Sequence, residues 1–276
     1  MPQIRKKVAA DRVKVVEKSL AKARTRDNLQ VFSKLTKIVD GTPKIVGDPP
    51  LVVPLGDLYP PAQATVVEKD LLDIVRGYRS TLSSDRRLLL DSYRFVELAR
   101  KVVGVGSVGT RAWILLFVGR DNGDPLFLQA KEAEESVLER FAGLSAYRNH
   151  GQRVVAGQRL MQATSDIFLG WKRVVVDGRQ QDYYIRQLRD WKLAPDIATM
   201  TPRGMKAYAW LCGRTLARAH ARAGDRIAIA AYLGPGVAFD RAMASLAEAY
   251  ADENERDYNT FSAAVRSGRI QAETGV

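Results

Sequence analysis

Apolar positions change period several times along this chain, and the changes mark out its elements. Ile4, Val8, Val13, Val16, Leu20, Leu29, Phe32 and Leu35 recur at about helical spacing among charged residues, which predicts a helix over 3–37. A Pro/Gly-rich stretch, 38–62, interrupts that pattern and suits an extended excursion with short strands at 44–46 and 51–53. Helical spacing returns over 65–80 and 84–93, with Ser83-Ser84-Asp85 as an N-cap site between them. From 94 to 131 the spacing gives way to continuous apolar runs. Ala112–Val118 is one, and a second ends on Lys131; between them lies Arg120-Asp-Asn-Gly-Asp-Pro125, whose Asn122-Gly123 is hairpin chemistry. Helices are then predicted over 133–144 and about 151–163, the latter with Val154, Val155, Leu160 and Met161 as buried positions. Strands follow over 166–171 and 182–188 around the Val176-Asp-Gly-Arg179 turn. The chain ends in helices over about 202–222, with Pro202 in the first turn, and 237–266. Helices, a five-stranded antiparallel meander with one or two inserted helices, then helices again: the pattern predicts an α+β fold with segregated layers.

Composition narrows the function classes. The 276 residues are 46% hydrophobic, enough for a large core. No run approaches the 18 apolar residues of a membrane span, so no membrane is expected as a partner, and the basic first residues lack the apolar segment of a secretory signal. Cys212 is the only cysteine, which rules out an internal disulfide framework and fits a cytoplasmic location. With His150 and His220 as the only histidines, a Cys/His zinc site is excluded and no metal site is expected. The net charge of +12 is uneven: residues 1–30 hold nine Lys or Arg against three acids, whereas 240–276 hold seven acids against four bases. A basic leading helix reads first as a solvated face. Its second reading is a non-catalytic interaction module that binds a polyanion or a protein partner. No aromatics interleave with those bases, so nucleic acid is not the expected partner.

Gly104, Gly106 and Gly109 form a G-x-G-x-x-G spacing just ahead of the first apolar run. A dinucleotide fingerprint needs a helix directly after its third glycine, whereas aromatic and branched residues follow here. Strand, glycine loop, strand, turn, strand, lysine is instead the order of the nucleotide-covering lobe of kinase-like folds. Glycines beside strands also mark bulges and tight turns, and Lys131 at a strand end is able to reach solvent. The chain is accordingly divided into a helical leading region, 1–93, a strand-rich nucleotide-lobe-like region, 94–192, and a helical C-terminal region, 193–276.

Several longer segments carry a family resemblance. They are Lys101-Val-Val-Gly-Val-Gly-Ser-Val-Gly-Thr-Arg111, Asp124-Pro-Leu-Phe-Leu-Gln-Ala-Lys-Glu-Ala133, His150-Gly-Gln-Arg-Val-Val155, Asp166-Ile-Phe-Leu-Gly-Trp171 and Tyr184-Ile-Arg-Gln-Leu-Arg-Asp190, with Leu216-Ala-Arg-Ala-His220 and Tyr250-Ala-Asp-Glu-Asn254 further on. Together they resemble the bacterial domain-of-unknown-function family 2252, itself similar to kinase-like proteins of the aminoglycoside-phosphotransferase type. The resemblance implies that Gly104, Gly106, Ser107 and Gly109 cover the phosphates of ATP carrying Mg²⁺. It also implies that Lys131 meets those phosphates and pairs with a glutamate, with Glu134, Glu135 and Glu139 as candidates and Glu135 preferred. The alternative slot for that acid, in the helix after the lysine strand, holds Ala156. Tyr184 to Asp190 would run into the hinge where backbone groups meet an adenine. Relatives carry upstream a Gly-Asp-x-His-x-x-Asn segment and an Asp-Phe-Asp segment that would supply the catalytic aspartate and metal ligands, and this sequence contains neither. The resemblance thus implies a C-terminal portion, inactive as a phosphotransferase alone, whose partners are a nucleotide and a separate polypeptide carrying the missing half. No catalytic residue is assigned. His220 and Asp225 only loosely match a catalytic loop and read better as a helix end, and Asp252, Glu253, Glu255 and Asp257 read as a solvated stripe.

Overall fold

The computed structural model describes residues 28–102, 109–176, 179–188 and 196–272. The helix expected over 3–37 therefore falls largely outside the described residues, as does the basic charge of 1–27. What is described of it is α1 (Asn28–Leu35), after which the chain turns into a hairpin of β1 (Thr36–Val39) and β2 (Thr42–Ile45). A Pro/Gly stretch carries it to β3 (Val52–Pro54), the one-turn α2 (Leu55–Leu58), α3 (Pro61–Arg79) and α4 (Ser84–Asp91). Then come β4 (Arg94–Lys101), β5 (Ala112–Val118), β6 (Pro125–Ala133), the one-turn α5 (Glu139–Ala142), α6 (His150–Met161), β7 (Gly170–Val176) and β8 (Arg179–Gln187). Helices α7 (Pro202–Ala223), α8 (Arg226–Leu233) and α9 (Ala238–Arg266) complete the order.

The class is mixed α+β with an antiparallel sheet, but the expected five-stranded meander needs two corrections. The sheet has six strands in the order β3-β4-β5-β6-β8-β7. Val52–Pro54 joins as an edge strand, a place that tolerates Pro54 because an edge needs no further backbone donor. The last two strands are inverted: α6 carries the chain across, so that β8, not β7, lies beside β6. The helix expected over 133–144 shrinks to the one turn Glu139–Ala142: β6 takes Ala133 by pairing with Asp182, and the Glu134 carbonyl accepts from Arg153. The strand expected over 166–171 starts only at Gly170, and α8 lies outside the helices that period predicts.

All seven residues of β5 are buried, which explains the run without polar alternation: both faces of this central strand are covered. Cross-strand pairing sorts the side chains. Leu98, Trp113, Leu115, Phe117, Leu126, Leu128, Ala130, Tyr183 and Ile185 pack on one face against Ile74 and Tyr78 of α3. Tyr78 is fully buried, and its hydroxyl donates to the Phe168 carbonyl at 2.7 Å, tying α3 to the approach to β7. Ala99, Ile114, Leu116 and Phe127 face the other way, where Ile45, Val52, Phe32 and Leu35 cover them. A bulge between Phe95 and Glu97 re-aims Glu97, whose carboxylate accepts from the Ile45 amide and pairs with Lys44 at 3.6 Å. The small hairpin is thereby held over that second face. By compactness the chain divides into two units, one running to Ala219 and one starting at His220; in the second, Asp225 caps α8 by accepting from the Ile227 and Ala228 amides.

Candidate functional site

Lys131 sits near the end of β6, directly opposite Ala112 of β5 on one side and Tyr184 of β8 on the other. Ala112 stands three residues beyond Gly109, so the lysine flanks the end of the β4–β5 connection. Gly109 adopts φ +84°, a left-handed conformation that suits glycine, and a Cβ there would meet open space. Gly104, Gly106 and Ser107 lie outside the described residues, and the expected hinge segment, Tyr184 to Asp190, is described only as far as Leu188.

The period of two along the strands defines what shares the lysine's face. One step along, Gln129 of β6 is opposite Ile114 and Arg186. The Arg186 guanidinium donates through one terminal nitrogen to Gln129 Oε1 at 3.3 Å, while its Nε is buried without a hydrogen-bond partner among the described residues. Gln129 itself is 3% exposed. One step further the face becomes apolar, with Leu116 and Phe127. The face is therefore layered: Lys131 and Tyr184 at the loop edge, Gln129 and Arg186 next, hydrocarbon beyond. Electrostatics ties the first two layers together. Burial, and then the Arg186 guanidinium, push the Lys131 ammonium below its ordinary range, and burial pushes the Tyr184 phenol up while Arg186 draws it back.

Helix α6 packs against β7 and β8 on the same side, where the Arg159 guanidinium lies 5.8 Å from the Trp171 ring centre. Its start is fixed by a buried carboxylate. Asp182 accepts from Arg173 Nε at 2.6 Å, from Asn149 Nδ2 at 3.0 Å and from the His150 amide at 2.7 Å; Asn149 caps the helix by accepting from the Gln152 amide. Burial pushes the Asp182 carboxyl up, but the Arg173 and His150 donors outweigh it and hold it below the usual carboxylate range. Gly151 permits the close approach: a Cβ there would fall 2.3 Å from the Tyr183 carbonyl oxygen. Val155 is buried as expected, whereas Leu160 and Met161, also expected inside, are exposed because the helix turns them away from the sheet.

The three glutamates that the resemblance offers to Lys131 are distributed as follows. Glu134 and Glu135 are exposed in the connection after β6, and Glu134 contributes its carbonyl to Arg153 at 2.7 Å. Glu139, in α5, pairs through its carboxylate with Arg153 at 2.9 Å. Helix α6 contains no acidic residue. Among the described residues no group of three or more His, Cys, Asp or Glu side chains converges as a metal site would require. No described helix is long and apolar enough to cross a membrane. His220 falls in the last turn of α7, its carbonyl accepting from the Gly224 amide, and Glu253 on α9 pairs with Arg256.

Gln129 and Arg186 are not among the residues that sequence reasoning singles out. They lie 57 positions apart, and only strand inversion makes them neighbours. The available signal was an Arg in the apolar-rich Tyr183–Leu188 stretch, a place where a guanidinium needs a reason.

A family model described as "Uncharacterized protein conserved in bacteria (DUF2252)" matches residues 3–264. No curated protein and no solved structure matches the chain.

Proposed function

The chain belongs to the bacterial family DUF2252, and within that family we propose that it binds the phosphates of a nucleotide between the Gly104–Gly109 loop and Lys131, in the manner of a kinase-like nucleotide lobe. One observation carries the reading: Lys131 lies on the strand two after the glycine-bearing connection, level with Ala112 and beside the end of that loop. Phosphate-covering loops work in this arrangement, with backbone N–H groups above and a strand lysine below. The helix that follows the lysine strand before the next strand, and the return of β8 to lie against β6, are consistent with the same lobe.

ATP carrying Mg²⁺ is the ligand proposed. Lys131 fits the phosphates as a point charge, and Gly109 and the glycines before it would serve as amide donors. The ion would be held through the phosphates, because the described residues bring no set of carboxylates to this face. Glu135 remains a proposed partner for Lys131, one that would have to swing in from the exposed connection when phosphate arrives. Phosphoryl transfer needs a base and metal ligands as well as a phosphate cradle. These 276 residues contain no Gly-Asp-x-His-x-x-Asn segment, so the reading is of nucleotide binding and assigns them no phosphoryl transfer.

A thermal-shift titration with ATP and Mg²⁺, run beside Lys131→Ala, tests this. Ligand at a hundred times its Kd adds about 2.7 kcal/mol to wild-type stability, and the variant should lose that gain. A well-folded wild-type protein that shows no shift overturns the proposal.

A further inference from the structure

Lys131 and the glycine loop leave Arg186 unexplained. Its Nε is buried and without a hydrogen-bond partner among the described residues, and one terminal nitrogen is engaged in a 3.3 Å contact with a neutral amide, Gln129. A guanidinium with a buried, unbonded Nε is stabilised by an oxyanion, preferably one that meets its planar fork. The carboxylates of the neighbouring strands are engaged elsewhere. Glu97 serves Ile45 and Lys44, Asp182 serves Arg173, and Asp166 accepts from the Phe168 and Gln187 amides. Glu132 lies on the opposite face of β6 and accepts from the Arg111 amide. What Arg186 does have nearby is another cation: it is near enough to Lys131 to disfavour that ammonium's charge, and near enough to Tyr184 to favour the phenolate. A second cation, a phenol and a buried amide thus share one sheet face with a guanidinium whose Nε has no acceptor among the described residues.

We propose that Arg186, with Gln129 and Tyr184, forms an oxyanion site beside Lys131, and that a polyphosphate bridges the two cations with adjacent phosphoryl groups. That the polyphosphate belongs to a nucleotide rests on the reading above; the oxyanion chemistry does not. Arg186 is then a binding residue whose buried, unbonded Nε weakens the empty protein and is satisfied by ligand, the pattern of a functional group kept at a cost to stability.

Isothermal titration with inorganic pyrophosphate, inorganic phosphate and ATP, each at constant ionic strength, tests the assignment on wild type, Arg186→Gln, Arg186→Lys and Arg120→Gln. Arg120 is 90% exposed at a turn, and its variant controls for the loss of one positive charge. Wild type should bind pyrophosphate more tightly than phosphate. Arg186→Gln should weaken both pyrophosphate and ATP at least tenfold, Arg120→Gln should not, and Arg186→Lys should recover only part of the loss. The unliganded Arg186→Gln protein should melt no lower than wild type, whereas removal of a merely structural brace would lower the melting temperature. Unchanged pyrophosphate affinity in Arg186→Gln overturns the proposal. So does a loss confined to ATP, which would place Arg186 at the nucleoside. Should wild type bind pyrophosphate in an Arg186-dependent way yet ignore ATP, the oxyanion site stands and the nucleotide reading falls. ATP binding that depends on Lys131 alone leaves the nucleotide reading standing and removes the oxyanion site. If Arg186→Gln does not fold, Arg186→Lys decides: at least threefold weaker pyrophosphate binding supports the fork contact, and unchanged affinity overturns it.

Discussion

The two faces of the six-stranded sheet are made by the same strands, yet they are chemically unlike. On the face toward α3, successive inward positions of β6 are Leu126, Leu128 and Ala130, which meet Phe117, Leu115 and Trp113 across β5. On the reverse face the alternate positions of the same strand read Phe127, Gln129, Lys131, a gradient from hydrocarbon to charge within three side chains. A sheet of this size needs one well-packed face to fold. With that supplied, the other face can carry buried polar groups at its loop edge. An apolar run and one that ends in polar and charged groups are thus separated in this molecule by the pleat of a single strand, one residue apart.

Four experiments probe that contrast, beginning with the one expected to move the protein most. Leu128→Ala on the packed face should cost about 3 kcal/mol, because a fully buried leucine leaves a cavity between the sheet and α3. A lower urea midpoint at unchanged slope reads this out; a loss below about 1 kcal/mol would mean the face is looser than its burial implies. Asp182→Asn should cost about 2 kcal/mol, since it leaves Arg173 without its carboxylate and weakens the acceptor at the start of α6; Arg173 is partly exposed, which keeps the figure at the lower end for a buried pair. The Asp182 carboxyl is held below its unfolded value of about 3.9, so its contribution is complete above that pH and fades as pH falls through the folded value. Acid titration of wild type against Asp182→Asn should therefore bring the two melting temperatures together only on the acid side of that window.

Tyr78→Phe should cost about 1 kcal/mol, the hydroxyl's bond to the Phe168 carbonyl being lost while the ring stays packed. Equal stability of the two proteins would show that water replaces the hydroxyl at that carbonyl. The smallest effect belongs to the polar face. Lys131 titrates below its unfolded value of about 10.4, so between the two values the unfolded chain binds more protons and stability rises with pH. Lys131→Met should remove that alkaline gain. A melting-temperature profile from about pH 8 upward that is parallel for wild type and variant would refute the desolvated-lysine description.

Much of the fold was legible in local pattern, for identifiable reasons. The unbroken apolar run of β5 marks a strand covered on both faces, and the hairpin around Asn122-Gly123 follows from turn chemistry, with the Gly123 amide donating to Asp121. Helix α3 and the long α7 and α9 follow from period. The failures share a cause. The segment 133–144 has helix-forming residues, but the sheet takes Ala133, and Arg153 takes the Glu134 carbonyl and the Glu139 carboxylate, so tertiary contacts outweigh local preference. The meander expectation assumed that sequential strands are neighbours, whereas the α6 crossover lets β8 insert next to β6.

Contiguous residues were enough to establish the family, the α+β class, the position of the glycine spacing and the presence of a lysine at the end of an apolar strand, because each is written in one stretch of chain. What shares the lysine's face needed the folded sheet. Gln129 and Arg186 meet because two strands far apart in the chain pair in one particular register, and a shift of one residue would have turned the guanidinium to the other side. Glu139 goes to Arg153 for the same kind of reason: which charge a side chain meets is set by the packing of elements, and spacing along the chain does not encode it.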